Sequence, residues 1–300
     1  MINISKNILN DLNTIEDLYF QPRYLDFTLW ENFLNQIEYT PYLYTNSSIE
    51  YQEEYRRFNL SWYLDLSSVI KYKGSNIGLI PLGICKINGN YKIFSQTNFN
   101  GLNEPPPLNK PIFMKNFSEK IIKKISLEIQ RILSKISRIM LIKEWQTSDF
   151  FDGNNSISQW HLLSMEMGAE VKLIHELYVN LDLSLLEIKS KFRKSYKSLI
   201  KEEKIKLKTF VMNKNDQEIW DQFKKAHFIS AGRITRSDKS WLDHFMDIDN
   251  NCGLLVYIKN HEDLFLGGGF FNFSKDEAVY SVAAYDRNFF HLPLGHIVQY

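Results

Sequence analysis

Three apolar runs, 254–258, 264–273 and 278–285, follow one another with only short polar turns between them. The turns are Asn260-His261-Glu262-Asp263 and Ser274-Lys275-Asp276. Connections this short join antiparallel strands, because a parallel pair needs a crossover of a dozen or more residues. The second half of the chain must therefore contain an antiparallel meander. The elements around it are legible from their punctuation. Ser184-Leu185-Leu186-Glu187 is a capping box that opens a helix predicted to run to about 203, after an expected strand at 171–183. A strand is expected at 205–212 and a helix over Gln217–Ala231, with Gly232 at the position that closes a helix. Ser237 or a neighbour caps a short helix around 241–246. A loop at 286–293 then leads through Pro293 into a helix that begins near Gly295. That last helix stops at Tyr300 in its first two turns, so the second domain reads as incomplete at its C-terminus.

The first half reads as helix-rich over 14–37, then as strands at 62–66, 77–84 and 91–94, with Asn88-Gly89-Asn90 as a hairpin turn. A loop at 99–112 carries Gly101 and Pro105-Pro106-Pro107. The clearest helix spans 119–137, where Ile121, Ile122, Ile125, Ile129, Ile132, Leu133 and Ile136 recur at helical spacing. A strand is expected at 139–142, and periodicity is lost over 144–158. The fold class is α/β, in the sense of α+β mixed sheets flanked by helices. Two domains are expected, 1–165 and 166–300, as the 300-residue length also suggests.

Composition narrows the function classes. A net charge of +1 gives no bulk field for polyanions, so any basic function is local. Cys85 and Cys252 are far apart and without metal-type spacing, which predicts a reducing, cytoplasmic compartment. No window approaches 18 apolar residues, so no membrane span is expected. Gly267-Gly268-Gly269 lacks the following Gly-Lys-Ser/Thr of a phosphate loop and reads as a bulge or a close approach. The calcium-like run at 247–253 has its glycine one place late and Ile258 where a bidentate Glu belongs. The histidines show no paired metal spacing, and no G-x-S-x-G elbow is present, so no metal is expected.

Three constellations could carry chemistry. In the basic helix, Lys189, Arg193, Lys197 and Lys201 form one stripe, with Lys194 and Ser195 beside it. Leu185, Ile188, Phe192, Tyr196 and Leu199 form the opposing apolar face. Arg193, Lys194 and Ser195 suit a phosphate, because Arg and Ser bond it directionally; a solvated helix face is the plainer alternative. The second, Gly232-Arg233-Ile234-Thr235-Arg236-Ser237 with Trp241, mixes cations and an indole at a helix junction. It suits substrate binding or, equally, a surface ion-pair loop. The third is a small-residue strand ending in Tyr285-Asp286-Arg287, followed by His291-Leu292-Pro293-Leu294-Gly295-His296. A helix N-terminus there could hold phosphate, with His291 or His296 as a base. A packed strand beside a helix end is its alternative.

In order and spacing these segments resemble the FemAB-like, GNAT-type acyltransferases. The carriers are Phe192–Ile200, Ala231–Ser237 with Trp241, Gly267-Gly268, Ala283-Ala284-Tyr285-Asp286-Arg287 and Pro293-Leu294-Gly295-His296. Tyr19-Phe20-Gln21-Pro22-Arg23-Tyr24-Leu25 is similar to the family's early Pro-x-Tyr segment. The resemblance implies two GNAT-like domains and N-acyl transfer from an acyl-CoA-type donor to an amine of a cell-envelope or surface-glycan precursor. Tyr285, Asp286 and His296 would then be catalytic. Arg193, Lys194, Ser195, Arg233, Thr235, Arg236 and Trp241 would bind an anionic small-molecule or lipid-linked acceptor, and Arg287, Leu294 and Gly295 the donor. The family's other branch implies aminoacyl-tRNA as donor, with tRNA as partner. A non-catalytic glycan- or peptide-binding module on the same fold is the third reading.

Overall fold

The computed structural model describes residues 8, 10, 12–14, 16–60, 62–95, 107–149, 157–172, 177–200 and 207–300. Gly101, Pro105, Pro106, Asp152-Gly153-Asn154, residues 173–176 of the expected strand, Lys201 and Ile205 lie outside them. The chain divides into two compact units: Met1–Val171 with Ser274–Glu277, and Lys172–Phe273 with Ala278–Tyr300.

In the first unit the elements run β1 (Leu18–Pro22), α1 (Phe27–Leu34), α2 (Asn46–Asn59), β2 (Tyr63–Asp65), β3 (Ser68–Tyr72), β4 (Ser75–Ile80), β5 (Leu82–Ile87), β6 (Asn90–Ser95), β7 (Leu108–Asn109), β8 (Ile112–Phe113), α3 (Glu119–Ile139), β9 (Thr147–Ser148) and α4 (Gln159–Glu166). Antiparallel sheets of order β1-β3-β4-β8 and β2-β5-β6 accompany a short parallel pair, β7-β9. The amphipathic α3 lays Ile125, Ile129, Ile132, Leu133 and Ile136 against Phe20, Ile70, Ile77 and Ile84. Each such burial stabilises by roughly 1.5–3 kcal/mol. Val69 and Leu79 face a second cluster with Trp30, Phe33 and Tyr44.

The hairpin at Asn88-Gly89 forms as expected, with both residues at positive φ (49° and 83°), the requirement of a two-residue turn. Other expectations fail for identifiable reasons. Residues 18–22 are a strand, because alternate residues are buried against β3. Aromatic side chains satisfy either period, and pairing decided it. Pro81 divides the expected 77–84 strand; lacking an N–H, it ends β4, and β5 enters the other sheet. Residues 139–142 are no strand: α3 continues to Ile139, and Leu141 turns out at φ 54°, 87% exposed.

The second unit comprises α5 (Leu185–Lys191), α6 (Lys194–Leu199), β10 (Lys208–Val211), α7 (Gln217–Ala231), α8 (Asp238–Asp249), β11 (Gly253–Lys259), β12 (Phe265–Phe273), β13 (Ala278–Tyr285) and α9 (Leu294–Gln299). The antiparallel sheet runs β10-β11-β12-β13, so the expected meander is its main part. Gly232 ends α7 at φ 68°, and Ser237 caps α8 through the Ser240 amide. Alternation sorts the two faces. Leu255, Tyr257, Phe270 and Val282 join Trp220, Phe223 and Trp241 of α7 and α8. Ile258 and Leu266 join Leu294 and Val298 of α9. Glycine lets α9 approach: a Cβ on Gly269 would lie 2.7 Å from Val298.

Two corrections apply here. The described residues of 171–183 form no strand, and Leu177, Val179 and Leu181 are exposed. The capping box forms, but the expected single helix breaks at Phe192 and Arg193, whose ψ values of 144° and 148° are extended. Unbroken, the helix would align Lys189, Arg193 and Lys197 at repelling spacing. The break instead turns Phe192 onto Tyr196 (4.7 Å) and Tyr300 (6.3 Å). Among the described residues, Lys189, Arg193 and Lys197 therefore lie on no single helix, and Leu185 and Leu199, expected on a buried face, are exposed.

Candidate active site

β13 carries the first half of the site. Between Phe270 and Phe271 its register against β12 shifts, so Phe271 pairs with Tyr280 and Phe270 with Val282. The extra residue, Ser281, reverses the facing of what precedes it. Tyr280 and Tyr285 would otherwise point to opposite faces; with the bulge their hydroxyls meet at 2.7 Å. Burial, then the hydrogen bond to Tyr280 and the neighbouring Tyr280 and Tyr196 phenols, raise the Tyr285 pKa well above the ordinary tyrosine value. Tyr285 thus keeps its proton at physiological pH.

α9 supplies the other half. A cavity of about 410 Å³ opens between the end of β13 and the start of α9, lined by Tyr285, Leu199, Phe290, His291 and the run Leu292–His296. Leu294 is itself buried in the sheet-facing core, so its side chain serves packing. The Gly295 and His296 amides belong to the first helical turn, which has no intrahelical acceptor for its N–H groups. His296 is held by Tyr196, whose ring lies 4.8 Å from the imidazole and whose hydroxyl donates to His296 O at 3.0 Å. Lys189 donates to the Tyr300 hydroxyl at 3.0 Å, tying α5 to α9.

The remaining expected residues fall in three places. Asp286 caps a short turn, accepting from the Asn288 amide at 2.9 Å, while its own amide donates to Leu266 O. Arg287 donates to Ser230 O, and Ser230 donates to Tyr285 O at 3.0 Å, so the end of α7 is bonded to the end of β13. Neither Asp286 nor Arg287 lines the cavity. Arg193, Lys194 and Ser195 are exposed where α6 begins; Leu199, at the other end of that helix, lines the cavity.

Arg233, Thr235, Arg236 and Trp241 come together in a second cavity of about 340 Å³ formed by α7 and α8. Arg236 is buried, with its guanidinium 4.5 Å above the Trp241 ring. Such contacts stabilise by about 0.5–2 kcal/mol. Arg233 is exposed. His227, which sequence reasoning missed, joins this wall: its Nε2 is 3.4 Å from Arg236 Nη2, and its ring meets Trp241 edge-on at 5.1 Å. A signal existed, since His227 continues the spacing of Trp220 and Phe223 along the buried face of α7. Burial, then Arg236, lower its pKa to about 4. Tyr280 was also missed, and here no local signal existed, because the bulge alone aims it. Among the described residues no group of three or more His, Cys, Asp or Glu could hold a metal ion. No helix of those residues is long and apolar enough to cross a membrane.

No family model matches the chain, and no curated protein matches it in sequence. Among solved structures it is similar to the crystal structure of FemX, with a TM-score of 0.57 and 10% identity over 90% of this chain and 82% of that one. It also aligns with a tandem GNAT protein from the clavulanic acid biosynthesis pathway, solved without AcCoA. That alignment has a TM-score of 0.43 and 9% identity over 94% and 83% of the two chains. At 10% identity the FemX likeness is one of fold: this chain shares its mixed α/β architecture with antiparallel sheets.

Proposed function

We propose that the chain moves an acyl group from a thioester of the acyl-CoA type to an amine of a cell-envelope or surface-glycan precursor, such as a nucleotide-linked amino sugar. The observation that carries this reading is the cavity where β13 and α9 diverge, with a neutral phenol, a histidine and first-turn amides around it. In the reaction the amine attacks the carbonyl carbon, and the carbonyl oxygen takes on negative charge. The Asp286 amide is committed to Leu266 O, so the Gly295 and His296 amides are the donors left to stabilise that oxygen. Tyr285 gives a proton to the leaving sulfur or oxygen, and His296 accepts the proton of the attacking amine. The cavity suits the reactive arm of the donor. None of its lining residues is lysine or arginine, so pyrophosphate would depend on the α9 amides.

The acceptor's anionic part is assigned to the second cavity, through Arg233, Thr235, Arg236 and Trp241, with Arg193, Lys194 and Ser195 as outer contacts. Tyr285→Phe should lower kcat by about 10²–10⁴, measured as single-turnover transfer from a labelled donor; an unchanged kcat removes Tyr285 from the chemistry. Arg236→Ala should raise KM for the acceptor by a factor corresponding to about 1–3 kcal/mol, and an unchanged KM removes Arg236 from the site.

One observation favours a second reading. The fold likeness to FemX extends over 90% of the chain, and the family resemblance of the sequence implies aminoacyl-tRNA as the donor in one of its branches. Thermal-shift measurements with acyl-CoAs and with aminoacyl-tRNAs, followed by transfer assays on whichever stabilises, separate the two. Stabilisation by ligands with no turnover from any donor would favour a binding module.

A further inference from the structure

The second cavity contains a polar device that the acceptor reading leaves unassigned. A guanidinium has donors and no acceptor, so the 3.4 Å contact between Arg236 and His227 Nε2 has one polarity: Arg236 donates and Nε2 accepts. A neutral imidazole with an accepting Nε2 carries its proton on Nδ1. Burial and the neighbouring Arg236 charge keep the ring neutral, with a pKa of about 4. The pair is held rigidly, because both the guanidinium (4.5 Å) and the imidazole (5.1 Å) rest on Trp241, and Arg236 is 6% exposed. His227 therefore cannot serve as a base, since its one lone pair is occupied. It is a fixed N–H donor with a buried cation behind it. Nδ1 makes no hydrogen bond among the described residues.

The acidic groups around the same cavity are engaged. Asp238 pairs with Lys224 at 2.5 Å, and Asp221 accepts from Gln217 at 2.9 Å. Phe228 and Ile234 supply apolar wall. We propose that His227 Nδ1–H, backed by Arg236, is an oxyanion subsite that takes a carboxylate or phosphate group carried on an apolar or flat body. That this group belongs to the amine-bearing acceptor rests on the transferase reading; the subsite itself does not.

The test uses the full chain. Long-range ¹H–¹⁵N spectra should show His227 as the Nδ1–H tautomer, untitrated between pH 5.5 and 8. Phenyl phosphate and benzoate are then titrated in by calorimetry and by the same spectra. Binding should shift the His227 nitrogens, weaken about tenfold in His227→Phe, and recover in His227→Asn, whose amide N–H can occupy the Nδ1 position. Circular dichroism checks that both variants fold. Response to phenyl phosphate alone assigns a phosphate ester, and response to benzoate alone assigns a carboxylate; either supports the subsite. An Nε2–H tautomer, titration near pH 6.5, binding indifferent to His227→Phe, or no binding of either anion overturns it. If anions bind through His227 and no donor is ever turned over, the subsite stands and the transferase reading falls. If transfer proceeds with the same acceptor KM in His227→Phe while anion binding is still weakened, the transferase reading and the subsite both stand and the assignment of the subsite to the acceptor falls.

Discussion

Burying a histidine beside an arginine carries a consequence that is measurable without any substrate. His227 and His244 are both held below the ordinary histidine pKa, by burial first and by Arg236 second. Their folded forms stay neutral where the unfolded chain already binds protons. Stability should therefore be full above about pH 6.5 and fall as pH drops towards 4, by up to about 1.4 kcal/mol per pH unit for each histidine. Urea midpoints at pH 7 and pH 5 check this. In His227→Gln the slope should be shallower, and an unchanged slope would mean that His227 titrates alike in both states. At this scale sequence reasoning located Arg236 and Trp241 as site candidates but not His227, whose role depends on a guanidinium nine residues away.

Among the elements, β13 and its neighbours decide the site, and glycine marks where backbones come close. Gly232 and Gly267 both have positive φ, 68° and 138°, but in different surroundings. A Cβ on Gly232 would meet nothing within 4 Å, whereas one on Gly267 would lie 2.4 Å from Ala284 O. Gly232→Ala should accordingly cost about 1 kcal/mol, the conformational penalty alone. Gly267→Ala should cost more than about 2 kcal/mol, since the clash adds to the strain. Urea unfolding of the two variants measures the difference, and equal costs would show that the β12–β13 pairing yields to the methyl group. The break between α5 and α6 belongs to this scale too. The apolar pattern of 185–199 suits one helix, but the like-charge spacing of Lys189, Arg193 and Lys197 and the packing of Phe192 against Tyr196 and Tyr300 act against it.

For the molecule as a whole, each compact unit carries its own buried clusters, α3 with its sheets in the first and α7, α8 and α9 around the meander in the second. A net charge of +1 predicts weak, salt-sensitive contact with nucleic acid, because only local cations such as Arg193, Lys194 and Lys197 are available. Each neutralised single-stranded phosphate contributes about 0.7 to the slope of log affinity against log salt, so tRNA binding should show a slope no steeper than about 2–3. A much steeper slope would favour the aminoacyl-tRNA reading. The sequence alone determined the meander, the long amphipathic helix, the Asn88-Gly89 hairpin, the Ser184 capping box and the Gly232 stop. Each depends on periodicity or on the backbone freedom of adjacent residues. Only the tertiary structure decided the Tyr280–Tyr285 pair, the helix break at Phe192 and the His227–Arg236–Trp241 stack. A one-residue bulge reverses which face a side chain takes, and contacts between distant residues leave no local period to read.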